Sequence, residues 1–145
     1  MSTHEAFLSE LDESRIVEAI AQAESRSSGE IRVFVSQSAI KDPLGQAEIE
    51  FKRLNMHKTD DRNGVLLFFA PVSRKFAIVG DQGIHARCGH DFWRAAAVLM
   101  EDHLKAGRPT DAAVDAIHRI GEVLAAHFPR RPNDRNELPD SIERG

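Results

Sequence analysis

The chain has 145 residues, 41% of them hydrophobic, which is the size of one ordinary domain with a buried core. A formal charge of -4 and a pI near 6.0 leave no overall basic field, so generic attraction to nucleic acid or to an anionic membrane is not expected. The single cysteine, Cys88, excludes an intramolecular disulfide; with no basic-apolar leader at the amino terminus and no run of membrane-spanning length, a cytoplasmic protein without membrane insertion is expected.

In chain order, Thr3 is expected to cap a short helical turn that brings Phe7 and Leu11 to one side. Ser9 or Asp12 then starts a longer helix through Glu24, with Ile16, Ile20 and Ala23 inward and Arg15, Glu18, Gln22 and Glu24 outward. Ser27-Ser28-Gly29 ends it. Glu30 to Ser36 alternates Ile31, Val33 and Val35 against Arg32 and Phe34, the pattern of a half-exposed strand at or near a sheet edge. Asp42-Pro43 supplies an N-cap and a proline at the first helical position of a helix lined by Leu44, Ala47, Phe51 and Leu54.

Val65 to Ala70 is an unbroken apolar run bounded by Asn63-Gly64 and Pro71, which predicts a central strand buried on both faces. Phe76 to Val79 follows after a gap too short for a crossover helix, so these two strands should be antiparallel neighbours. The preceding strand, helix and buried strand form a βαβ unit, whose strands should be parallel. Helices are predicted over Asp91 to Lys105 and from a Thr110 cap to Pro129. Residues 1–128 then form one domain, and 129–145 an extended tail rich in proline and charge, with Leu138 as its expected anchor. The order α-β-α-β-β-α-α predicts an α/β fold, a small mixed sheet covered by helices on both faces.

This topology brings three loops to one end of the sheet. Ser27 to Glu30, Asp60 to Asn63 and Gly80 to Gly83 supply Glu30, Asp60, Asp61 and Asp81 together with the donors Ser28, Thr59, Arg62 and Asn63. Carboxylates held together repel one another unless a cation or an arginine neutralises them, and oxygen-only ligands suit calcium, magnesium or manganese. Glu30, Asp60 and Asp81 are therefore the candidate metal ligands.

The segments Ser27-Ser-Gly-Glu-Ile-Arg-Val33, Lys58-Thr-Asp-Asp-Arg-Asn-Gly-Val-Leu67, Ala77-Ile-Val-Gly-Asp-Gln-Gly-Ile84, Phe92-Trp93 and Asn136-Glu-Leu-Pro-Asp140 together resemble the TPM domain family, over about Asp12 to Asp140. The resemblance implies a three-layer αβα Rossmann-like sandwich with an acidic groove, divalent-cation binding in some members and phosphatase activity in the plant branch. It carries Thr59, Arg62, Asn63, Asp81 and Gly83 over as matching positions, with Ser28 beside them as a further ligand-binding candidate. Many members carry a signal peptide and a membrane anchor, and neither is read in this sequence.

Two other patterns carry less weight. Cys88-Gly-His-Asp-Phe-Trp-Arg94 has the Cys-x5-Arg spacing of cysteine phosphatases, but Asp91 would raise the thiol pKa and the aromatics would crowd a phosphate cradle. His85, Cys88 and His90 lack a partner pair at zinc-site spacing. Two functions follow. One is a noncatalytic binding or assembly module whose cation-binding groove takes a protein partner or a small phosphorylated ligand. The alternative is a metal-dependent phosphomonoesterase in which Asp60 and Asp81 hold the ion and Arg62 a phosphate oxygen.

Overall fold

The computed structural model describes residues 2–130 and 142–145. Its centre is β2 (Gly64–Ala70), every residue of which is buried. Full burial of Leu66, Leu67, Phe68 and Phe69 withdraws large side chains from water on both faces, each contributing roughly 1.5–3 kcal/mol. β1 (Glu30–Val35) lies parallel to β2, with Val33 opposite Leu67, and β3 (Lys75–Gly80) lies antiparallel on the other side, with Ile78 opposite Leu67. Both orientations match the topology predicted above. A short strand, β4 (Glu143–Arg144), adds to the free edge of β1 and gives the order β3-β2-β1-β4.

Alternation along the strands sorts the core into two halves. Val33, Val35, Val65, Leu67 and Phe69 face α2 (Glu13–Ser25), α4 (Gln82–Lys105) and α5 (Pro109–His127), which contribute Ile16, Ile20, Met100, Ile117 and Ile120. Phe34, Leu66 and Phe68 face Ala47 and Phe51 of α3 (Pro43–Arg53), and the Phe34 and Phe68 rings stack at 5.5 Å. With α1 (Thr3–Glu10) joining the first face through Phe7, whose ring lies 5.5 Å from that of Phe69, the result is a three-layer α/β sandwich.

Asp42 caps α3, accepting from the Gly45 amide at 3.0 Å with Pro43 in the first turn, as expected. Asp12 caps α2. Other expectations need correction. The α1 cap is Ser2 rather than Thr3. Thr110 sits inside α5, where its hydroxyl accepts from the Asp12 amide at 3.0 Å, so it ties two helices together instead of starting one. β1 is buried along its whole length because α3 covers its second face and β4 its edge. Glu24 is buried, because its carboxylate accepts the Ile31 amide at 2.9 Å.

α4 starts at Gln82, not Asp91, and breaks at Gly89, whose φ of 73° leaves the helical region. In the tail, Pro129 bridges to Ser27, Ile142 is buried in the main core and Glu143 pairs with Arg32 of β1. Leu138 and the Asn136–Asp140 segment lie outside the described residues.

Candidate functional site

The parallel strands β1 and β2 both begin, and β3 ends, at one pole of the sheet, which is where the three polar loops meet. Asp81 follows β3 and is the N-cap of α4: its backbone amide donates to the Gly64 carbonyl at 3.0 Å and its carboxylate accepts from the Gln82 amide at 2.8 Å. Arg62 lies in the loop before β2 with a left-handed backbone, φ 51°. That turn aims its guanidinium at Asp81, where Nε and Nη2 meet the two carboxylate oxygens at 2.7 and 2.9 Å. Asp81 is buried and the Arg62 side chain is 42% exposed. The hydrogen bonds that the guanidinium donates to the Asp81 carboxylate raise the Arg62 pKa further above its already high value, so it stays charged.

The backbone of the same arginine closes the helix. The Arg62 carbonyl accepts from the Gly83 amide at 2.8 Å and from the Ile84 amide at 3.3 Å, and the His85 amide donates to the Asp81 carbonyl at 2.9 Å. With the Asp81 amide on the Gly64 carbonyl and the Gln82 amide on the Asp81 carboxylate, the four amides that a helix start leaves without intrahelical partners are all satisfied, and His85 makes the first bond within the helix. Gly83 is required by this contact: a Cβ there would lie 2.2 Å from the Asp61 carbonyl oxygen and 2.5 Å from that of Arg62.

A second set of bonds anchors the loop to β1. Asn63 is fully buried; its backbone amide donates to the Thr59 hydroxyl at 3.2 Å and its side-chain amide to the Ser28 hydroxyl at 3.1 Å. Ser28 donates in turn to Asp61 at 2.8 Å, and its backbone amide reaches the Phe128 carbonyl at 2.9 Å. The Asn63 Oδ1 atom is buried with no hydrogen-bond donor among the described residues.

Ser28, Thr59, Asn63, Arg62, Asp81 and Gly83 thus meet at one pole. The other two predicted ligands are placed differently. Asp60 is exposed and makes no hydrogen bond or ion pair among the described residues. Glu30 is buried opposite Gly64, on the α3-facing side of β1 that it shares with Phe34. Asp61, which was not among the predicted ligands, carries a direct bond of the cluster; its adjacency to Asp60 and Arg62 was the available signal. Among the described residues no group of three or more histidine, cysteine, aspartate or glutamate side chains is arranged to hold a metal ion.

The Cys88-to-Arg94 segment runs through α4 across the Gly89 break. Partial burial pushes the Cys88 thiol pKa up, which disfavours the thiolate that a cysteine phosphatase needs. His85 instead accepts the Trp93 indole N–H at 3.0 Å, and the Trp93 ring lies so close to Gly80 that a Cβ there would stand 2.3 Å from it. The tryptophan clamps α4 onto the end of β3.

Comparison with known proteins agrees with this architecture. No curated protein sequence matches the chain. Among solved structures it is similar to the NMR structure of the BA42 protein from the psychrophilic bacterium Bizionia argentinensis, with a TM-score of 0.84 and 37% identity over 92% of each chain. No helix among the described residues is long and apolar enough to cross a membrane. Residues 1–123 match the TPM domain, and with that span covering most of its length the chain belongs to the TPM domain family.

Proposed function

We propose that the chain acts as a noncatalytic binding or assembly module, and that the Asp60-to-Asn63 corner with the exposed edge of Arg62 is its recognition surface. The observation that carries this reading is the closed amino terminus of α4. A phosphotransfer or phosphatase site at this pole would use free helix amides as an anion cradle. Here the Arg62 carbonyl and Asp81 already occupy them. Asp81 also gives both carboxylate oxygens to Arg62, so it offers no free base.

A divalent cation belongs to the same reading at the Asp60 and Asp61 carboxylates, with the buried Asn63 Oδ1 as an acceptor on the same loop that has no donor among the described residues. These are hard oxygen ligands, suited to calcium or magnesium. Asp81 is assigned instead to Arg62, and Glu30 to the face toward α3. The occupant of the surface is a protein partner or a small phosphorylated ligand that meets the exposed guanidinium edge.

The test is a titration of isotope-labelled protein with calcium, magnesium and inorganic phosphate, read by amide chemical shifts. Shifts centred on Asp60 to Asn63 that disappear in Asp60→Asn with Asp61→Asn support the cation site. Silence under every ion removes it. Turnover of an aryl phosphate that co-purifies with the protein and is abolished by Asp81→Asn establishes the phosphomonoesterase alternative and overturns the noncatalytic reading.

A further inference from the structure

In open α/β sheets, ligands usually occupy the crevice outside the carboxyl ends of the parallel strands. The polar cluster described above lies at their amino ends. At the carboxyl end of β2, a cavity of about 640 Å3 opens between α1, the turn from Pro71 to Lys75 and the last turns of α4. That volume falls within the range of small-molecule sites, about 300–1,000 Å3.

The walls of this cavity are apolar. Phe69 forms the buried floor, while Phe7, Phe76 and Leu104 pack against the main core yet stay half-buried. β3 is an edge strand, so Phe76 has a strand neighbour on one side only. Three side chains from three separate elements therefore turn unfilled apolar surface toward one space.

The rim is charged. Lys105 is paired with Glu101 at 3.0 Å, and the Lys75 ammonium donates to the Lys41 carbonyl at 2.9 Å. Arg74 is exposed, and its side chain makes no hydrogen bond or ion pair among the described residues, while its backbone amide donates to the Pro71 carbonyl at 3.1 Å. Its backbone is held at φ 54°, a left-handed conformation that non-glycine residues adopt rarely and that recurs at ligand clamps. With the Lys105–Glu101 pair neutral, Arg74 and Lys75 face Glu10 alone, which leaves a positive excess at the mouth.

We propose that this cavity binds a small amphipathic monoanion, an alkyl or aryl carboxylate whose apolar body lies against Phe7, Phe76 and Leu104 and whose carboxylate is held by Arg74. A guanidinium matches a carboxylate with two parallel hydrogen bonds, which makes Arg74 the discriminating group. The site is independent of the function proposed for the opposite pole.

Octanoate and 1-octanol, titrated separately into the labelled full chain, test this directly. Octanoate is expected to move the amides of Ala6, Arg74, Phe76 and Leu104 in a saturable way, and octanol to bind about tenfold more weakly, ~1.4 kcal/mol. Arg74→Glu should weaken octanoate by at least that factor and leave octanol unchanged, and because Arg74 is exposed the variant keeps the fold, which the dispersion of the same spectra verifies. Equal affinity for the two probes, indifference to Arg74→Glu, shifts confined to the Asp81 pole, or no saturable shift at millimolar octanoate each overturn the assignment.

Discussion

The two poles of the sheet are built on opposite plans. At the amino ends of β1 and β2, polar groups converge and bond to one another, and the Arg62 loop seals the start of α4. At the carboxyl end of β2, aromatic side chains converge without filling the space between them, and Arg74 stands over the gap. A concentration of charged residues and an unfilled cavity are thus different features, and here they occupy different ends of one sheet. The polar pole carries a structural duty, since it pins three loops; the apolar pole has little such duty.

The largest test of this contrast is Gly83→Ala. The new Cβ would collide with two backbone carbonyls, which cannot rotate away as a side chain can, so a loss of about 3 kcal/mol in urea unfolding is expected. A cost near zero would mean that the loop is not held against α4.

Asp81 comes next. Asn keeps an N-cap acceptor while removing the carboxylate, whereas Ala removes both, so Asp81→Ala should cost about 1 kcal/mol more than Asp81→Asn. Equal losses would transfer the role of Asp81 entirely to Arg62. A double-mutant cycle of Ser28→Ala and Asn63→Ala should then return a coupling of at least about 0.5 kcal/mol, because their side chains share a hydrogen bond inside one network. Additivity would make that network incidental.

The smallest expected effect lies at the other pole. Arg74→Glu should leave stability within about 0.5 kcal/mol of the parent, since the side chain is exposed and makes no bond among the described residues. A large loss would erase the difference between the poles by giving Arg74 a structural role.

Much of the polar pole was legible in the sequence, because strand direction follows from connection length. The gap between Pro71 and Phe76 admits a turn and no crossover, and that alone carries Asp81 back to Arg62. What the residues did with one another once there was not legible. Glu24 reads as outward on the helical period of α2, and the later Ile31 amide helps to make its burial tolerable. Gly80 to Gly83 reads as a loop, because the helix that begins at Gln82 is completed by a carbonyl from Arg62, some twenty residues earlier. The edge strand at Glu143 carries too little apolar pattern to announce itself, and it forms against a strand more than a hundred positions away.

The apolar cavity is illegible in the sequence for the same reason. Phe7, Phe76 and Leu104 each fit a core face in their own segments, and nothing local distinguishes a filled contact from an unfilled one.

The sequence by itself determined the three long strands, their directions and which loops share an end, since hydrophobic period and connection length are local properties that constrain the backbone. Only the tertiary structure decided which polar groups are spent on each other and where space remains. Hydrogen-bond saturation and packing volume depend on groups brought together from distant positions, and no window of chain contains them.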